Sequence, residues 1–534
     1  MYIDFDTPRN QNSTFTRPAY SLMALVFRRR MNIAMIYRHP RGKLSFGLAV
    51  ATSLFTAVAN AALQPPEPPP LEKPKPPPAQ ISSSEGMPPL PYPVVPMKRQ
   101  EKKNPPQPPV LLTKIRSRDN EDWTRTPNDV KGLLEWISQQ MNVHFSSNVK
   151  PFNQISEDPA QNPILYRSGY KQFRLSKNEV VILRNYILNG GTIVFNSLVG
   201  NPDAYQSALQ AARDILPERP AYRLRMDHPM FHSFYEIDKV GYRDRLVRDG
   251  LATDPHPYIE GVDIDNRTAI FISRWDFSLG WEANQHESWG YADGDARKLG
   301  ANIVSYVTAM RDAGRSVGKS VELVNAGKQT AGKFRVGQLI HDGPWKARTA
   351  AFPMLLNQFH ALTGTPVSFE LRDVSLDDAA IFEMPFLFVT GTTDFSLTDK
   401  QRANLRQFLM NGGVLFAEAA EGRQSFDVAF RDEMEKVLPG RQLVALPANH
   451  AIFKQPGAIG MVKARPALAV KSGNQIEVAP EMYGIDLNGS LAVIYSPHDL
   501  SAGWERAIAP YAQGYEATDA TALGVNVLYY AVTH

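Results

Sequence analysis

The sequence predicts two doubly wound α/β domains in tandem, and three observations carry that expectation. A stretch from Leu183 to Ser197, LRNYILNGGTIVFNS, returns as LRQFLMNGGVLFAEA from Leu405 to Ala419. In both, apolar residues at helical spacing run into Asn-Gly-Gly, whose first glycine suits the left-handed position that stops a helix. A short, uniformly apolar run follows at once (Ile193 to Phe195, Val414 to Phe416), as expected of a buried parallel strand. The duplication is also long. From Trp123/Trp345 through Gly169/Gly391, Leu175/Leu397 and His228/His450 to Phe231/Phe453, paired residues differ by a constant 222. Beyond a slight slip, Asp276, Gly280 and Trp281 match Asp499, Gly503 and Trp504. So long a colinear match means two copies of one domain.

At the amino end, residues 1–43 hold eight Arg or Lys against two Asp, so the rest of the chain sums to −2 of the formal +4. The folded part therefore lacks the basic footprint of a nucleic-acid binder, and none is expected as a partner. Arg38, Arg41 and Lys43 precede the uncharged run LSFGLAVATSLFTAVANAAL, and Ala59-Asn60-Ala61 is a small-x-small cleavage pattern. Residues 1–61 are thus expected to be a basic N-terminus and a signal peptide, or, since the run approaches the length that spans a bilayer, an uncleaved signal anchor. Residues 62–115 are expected to be a Pro-rich disordered linker, because eighteen of the forty-two prolines fall within 65–109 and such a composition buries no core. It would serve as a spacer, or as a ligand for a proline-binding partner.

Two repeats follow, expected at 116–315 and 333–534 with a connection at 316–332. In the first, a helix carrying Leu133, Leu134 and Ile137 leads to a strand. The next strand, Ile164 to Arg167, ends at Gly169, and a helix from about Ser176 runs to Asn189. The strand at 192–196 is followed by a helix over about 203–215, then a strand from Ala269 to Ser273 and a closing helix from Ala296 to Met310. Alternation of this kind argues for a parallel sheet with helices on both faces, flavodoxin-like or amidotransferase-like.

The run PFLFVTGTTDFSLTDKQRANLRQFLMNGGVLFAEAAEG, with LPANHAIF, SPHDLSAGWE and LGVNVLYYAVTH, resembles the bacterial domain of unknown function 4159. The first copy resembles it through PILYRSGYKQFRLS, NGGTIVFNS, MDHPMFHSFY, RWDFSLGWE and LGANIVSYVTA. That resemblance implies a class I glutamine-amidotransferase-like fold, an exported or membrane-associated protein, and an association with MoxR-type ATPases and von Willebrand factor A proteins. It implies no established reaction. It also implies acidic residues after the Gly-Gly strand, where this chain has Asn196-Ser197 and Glu418-Ala419. True class I amidotransferases use a cysteine at a strand-to-helix elbow, and the chain has no cysteine at all.

Ligands of open α/β sheets collect beyond the carboxyl ends of the strands. That edge is expected to gather Gly169, Asn196, Ser197 and Asp276 in the first copy, and Gly391, Asp394, Glu418, Glu421, His498 and Asp499 in the second. Ser197, His228 and Asp276 have the residue types of nucleophile, base and orienting acid, although Ser197 lacks a G-x-S-x-G elbow and its counterpart is Ala419. His228 and His450 serve equally well as packed loop histidines. The Asp-x-Ser-x-Gly-Trp-Glu element (Asp276 to Glu282, Asp499 to Glu505) either offers Trp281 and Trp504 to a ligand or buries them to lock the closing helix. No ligand spacing supports a metal, and no cofactor is expected. The reading that follows is a non-enzymatic, exported or membrane-anchored protein that binds a protein partner or small ligand in the cell envelope. Two alternatives stand beside it: a hydrolase using carboxylate or Ser/His chemistry at the strand edge, and a division in which the first repeat is architectural and the second carries the site.

Overall fold

The computed structural model describes residues 63–70, 108–117, 121–313 and 333–534. The chain divides into Met1–Gln64 and Pro65–His534, and both repeats lie in the second unit. The expected signal or anchor segment, most of the linker and the connection at 316–332 fall outside the described residues. No helix among the described residues is long and apolar enough to cross a membrane.

The first repeat runs β1 (Val110–Arg116), α1 (Asp129–Met141), β2 (Ser146–Pro151), β3 (Ile164–Gly169), α2 (Lys177–Leu188), β4 (Thr192–Ser197), α3 (Pro202–Ile215), β5 (Tyr222–Arg223), α4 (Asp244–Arg248), β6 (Ile259–Ile264), β7 (Arg267–Ser273), α5 (Ser278–Trp281) and α6 (Asp293–Ala309). The second runs β8 (Val336–Ile340), α7 (Ala351–Thr363), β9 (Arg372–Ser375), β10 (Phe386–Gly391), α8 (Asp399–Met410), β11 (Val414–Ala419), α9 (Gln424–Val437), β12 (Val444–Ala445), β13 (Val462–Lys463), α10 (Pro466–Lys471), β14 (Glu477–Val478), β15 (Tyr483–Leu487), β16 (Ser490–Ser496), α11 (Ser501–Trp504) and α12 (Ala517–Thr533). Each forms a seven-stranded sheet in the same order, β2-β1-β3-β4-β7-β6-β5 and β9-β8-β10-β11-β16-β15-β12. Helices cover both faces. Leu133, Ile137 and Leu299 from α1 and α6 pack one side of the first sheet, and Leu183, Tyr186 and Ala208 from α2 and α3 pack the other.

The doubly wound expectation needs two corrections. The sheet is mixed, because β6 and β15 pair antiparallel to β7 and β16. Asp265-Asn266 and Asn488-Gly489 at their tips all have positive φ, which is the backbone of a two-residue hairpin turn. Residues 110–115, placed in the linker by their proline-rich approach, instead belong to the buried strand β1, parallel to β2 and β3.

The repeated Asn-Gly-Gly is explained on both glycines. Gly190 and Gly412 sit at φ +98° and +91°, a region that side chains avoid. At Gly191 and Gly413 a Cβ would fall 2.2 and 2.3 Å from the rings of Tyr186 and Phe408. The helices before them start on capping boxes, Ser176 with Glu179 and Thr398 with Gln401.

The repeats pack against one another through the carboxyl edge of the second sheet. Arg225 holds Asp394 through Nε and Nη2 at 2.7 and 2.5 Å. Arg423 donates to the Asp227 carbonyl at 2.7 Å, and Ser425 donates from both its amide and its hydroxyl to the Asp227 carboxylate at 2.8 Å. Tyr306 stacks on Tyr511 with ring centres 5.6 Å apart.

Candidate functional site

Both sheets end their central strands in the same way. After β4 and β11 the chain makes a tight turn before the next helix, and the residue at its apex, Val199 or Glu421, is forced to φ 50° or 55°. Such a conformation costs on the order of 1–3 kcal/mol for a side-chain-bearing residue and persists only where its surroundings impose it. Here Asp276 and Asp499 impose it, each accepting the apex amide (Val199 at 3.1 Å, Glu421 at 2.8 Å). This is the elbow at which the amidotransferase-like resemblance places a nucleophile. The chain has valine in one copy and a buried glutamate in the other. Glu421 is held by Arg423 at 2.9 Å and sealed beneath the Asp227 loop of the first repeat. Burial raises its pKa, against the pull of Arg423 and Arg348.

Next to the apex the copies diverge. In the first, Asn196 donates to Ser168 at 3.0 Å and to Asp276 at 2.8 Å, and its carbonyl accepts the Phe277 amide. The second has Glu418 there. One of its oxygens accepts the amides of Leu500 and Ser501 at 2.9 and 3.0 Å, and the other accepts from Thr390 at 3.3 Å. Burial, with the charge of Asp499 added, pushes Glu418 up to about 7. A neutral amide thus occupies, in the first copy, the place of a carboxyl that titrates near neutrality in the second. Asp276 is also raised by burial, which its bonds to Ser278 and Asn196 partly offset.

A larger difference lies one strand over. Lys114 on β1 is fully enclosed, with Nζ 2.8 Å from both oxygens of Asp129 and 2.6 Å from the Thr126 carbonyl. Sheet pairing places Gln338 at the corresponding position of β8, since Lys114 pairs with Tyr166 and Gln338 with Phe388. Asp129 and Thr126 become Ala351 and Arg348 at the repeat spacing. The ion pair that plugs the first copy is gone, and in its place is a cavity of about 550 Å³. Its polar lining includes Gln338, Arg348 and Thr390 together with the charged Lys346, Glu370 and Asp373, and its apolar lining includes Pro353, Phe369 and Leu371. Arg348 is itself buried, bonded to Glu505 at 3.3 Å and 3.7 Å from Asp499. Its buried Nε–H has no partner among the described residues.

The other sequence-predicted residues separate. Ser197 donates to the Ser273 carbonyl at the carboxyl end of β7. His228 is bonded to Thr268, five residues earlier on the same strand, roughly 16 Å away by strand rise. The trio Ser197, His228 and Asp276 is therefore not assembled: the histidine sits at the opposite end of the sheet, kept neutral by burial. His450 likewise accepts a loop amide, that of Ile452. Gly169 and Gly391 close β3 and β10. Asp394 is engaged by Arg225, and His498 by Glu481 at 3.1 Å. Trp281 and Trp504 are not ligand platforms. They are 2% and 3% exposed, and each indole N–H donates to the closing helix, to the carbonyls of Ala296 and Ala520 at 2.8 Å. Trp504→Ala is accordingly expected to cost about 3–5 kcal/mol in denaturant unfolding, because it also removes the packing on Phe352, Phe388 and Phe416.

Sequence reasoning missed Arg348, Gln338 and Thr390. Arg348 has no basic counterpart in the first copy, so the repeat comparison passed over it. Among the described residues no group of three or more acidic or histidine side chains is placed to hold a metal ion. The family model described as Domain of unknown function (DUF4159) matches the chain twice, over residues 111–308 and 335–532. No curated protein matches it.

Proposed function

The chain belongs to the domain of unknown function 4159 family in two tandem copies, and from that premise we propose that it is a non-enzymatic binding protein whose small-molecule ligand is held by the second repeat, the corresponding place in the first repeat being architectural. The observation that carries this reading is the exchange of the plugging Lys114–Asp129 pair for the cavity beside Gln338, Arg348 and Thr390. Its walls suit a small molecule with an apolar body and a hydrogen-bond acceptor. The body meets Phe369 and Leu371, and the acceptor meets the wall formed by Gln338, Arg348 and Thr390, the charge of Arg348 being already balanced by Asp499 and Glu505. Against catalysis stand the elbow residues Val199 and Glu421, neither an exposed nucleophile. Placement in the cell envelope, exported or anchored, and a partner there such as a MoxR-type ATPase or von Willebrand factor A system, belong to the same proposal; residues 1–61 and the family resemblance support them.

The test is a thermal-shift screen of small amides and carboxylic acids against the wild type and Leu371→Trp, whose indole obstructs the apolar wall of the cavity. Compounds that raise the melting temperature of the wild type and leave Leu371→Trp unmoved are the expected outcome. Equal shifts in both proteins, or no shift with any compound, would remove the basis for this reading.

A further inference from the structure

The short proline run at residues 65–70, Pro-Pro-Glu-Pro-Pro-Pro, lies packed on the first repeat. Five of the six residues have φ fixed by the pyrrolidine ring, and Glu67, preceding a proline, is confined to the same region, so the segment is held in the polyproline II form. That helix has three residues per turn and no internal hydrogen bonds, leaving its carbonyls free for an outside donor. Burial follows the same period: Pro66 and Pro69 are buried, Pro65 and Pro68 half-buried, and Glu67 and Pro70 exposed. Two side chains read the free carbonyls. His286 Nε2 lies 2.7 Å from the Glu67 oxygen, and Arg125 Nη1 donates to the Pro69 oxygen at 2.7 Å.

Both readers are fixed by the protein. Arg125 Nε donates to Asp122 at 3.0 Å, and the buried Asp122 carboxylate also accepts the amides of Tyr170 and Lys171 beyond β3. The His286 amide is held by Asn284 at 3.0 Å, and its carbonyl accepts from Arg243 at 2.9 Å. Prolines buried three residues apart, with donors held over the Glu67 and Pro69 carbonyls, give a polyproline II segment both a packed face and a hydrogen-bonded one.

We propose that this groove, on the carboxyl edge of the first repeat, is a recognition site for polyproline II segments of the pattern Pro-x-Pro-Pro, occupied here by the chain's own Pro66–Pro69. The position x is unread, since Glu67 faces solvent. The sequence repeats the pattern at Pro74-Lys75-Pro76-Pro77, with lysine at x, and at Pro106-Gln107-Pro108-Pro109. The last of these leads into β1, where Ser146 engages the Pro108 and Pro109 carbonyls. A proline-rich partner would enter by displacing the tethered segment, which competes at a high effective concentration.

The test uses the full chain with Pro66→Ser and Pro69→Ser, which empties the groove, together with Pro74→Ser and Pro77→Ser, which stops the second tethered copy of the pattern from taking its place, and fluorescein-labelled Pro-Pro-Glu-Pro-Pro-Pro read by anisotropy. The emptied chain is expected to bind at least about tenfold more tightly than the wild type, because the tethered competitor is gone. Lys-Pro-Lys-Pro-Pro-Pro is expected to bind within about threefold of the first peptide, x being solvent-facing, and a peptide with serine at the two buried positions not at all. Adding Arg125→Gln or His286→Phe to the emptied chain should weaken binding by about three- to tenfold, the loss of one hydrogen bond to a carbonyl. No binding to the emptied chain, or binding indifferent to both reader substitutions, would overturn the proposal. Far-ultraviolet circular dichroism of each variant separates loss of the groove from loss of the fold.

Discussion

Replacing Arg348 with methionine is expected to lower the unfolding free energy by about 3–5 kcal/mol at pH 7.5, the usual consequence of stranding a buried charge. Its guanidinium is enclosed among Asp499, Glu505 and Glu421, and burial raises the pKa of both glutamates even with the arginine present. Without it, Glu421 keeps Arg423, while Asp499 and Glu505 lose the Arg348 ion pair. Two further results separate this cause from a packing defect. The loss should shrink as pH falls, because protonation discharges the stranded carboxyls. Arg348→Met combined with Glu505→Gln should be less than additive, since the pair is in direct contact. Additive losses independent of pH would assign the effect to side-chain volume instead.

Glu418→Gln is expected to stabilise the protein at pH 8. The pKa of Glu418 is raised in the fold, from 4.5 to about 7. The native state therefore binds more protons than the unfolded chain between those two values, and its stability falls as pH rises through that window. Above about pH 7 the full penalty on the ionised form remains, on the order of 3 kcal/mol for a shift of this size. Glutamine removes it. Its carbonyl can accept the Leu500 and Ser501 amides as Glu418 does, and its NH₂ can donate toward Asp499 as Asn196 does toward Asp276. Melting temperatures of wild type and variant should converge at pH 4.5 and diverge toward pH 8, with the variant higher. A variant less stable than the wild type at every pH would mean that the glutamate is ionised and held by favourable partners.

Much of the fold was legible because the repeat doubled its main signals. Asn-Gly-Gly at 189–191 and 411–413, the helix start near Ser176, and the apolar strands all read correctly from local chemistry. The antiparallel edge was also written in the sequence, in Asn488-Gly489 between apolar runs, yet the alternation of strands and helices suggested an all-parallel sheet. Strand β1 was hidden because Val110–Arg116 follows a proline run that reads as linker. Part of the site was harder to see for a physical reason. Glu418 and Asp499 were recognisable as strand-end acids. Arg348 looks like a surface charge until the fold of its own repeat sets it against Asp499 and Glu505, and Arg423 and Asp227 do until the packing of one repeat on the other engages them. Ser197, His228 and Asp276 invited a triad because sequence order says nothing about which end of a strand a loop returns to. The tryptophans of the repeated Asp-x-Ser-x-Gly-Trp-Glu element were equally compatible with display and burial, and only the carbonyls of Ala296 and Ala520 decide between them.

The division of labour between the repeats is tested most directly by crystallographic soaking of the intact protein with a library of small amides and carboxylic acids. Fragments are expected in the second repeat, with an acceptor toward Gln338, Arg348 and Thr390 and the apolar part against Phe369 and Leu371, and none at the Lys114–Asp129 position of the first. Fragments displacing Lys114 from Asp129, or a cavity beside Arg348 that stays empty across the whole library, would contradict it.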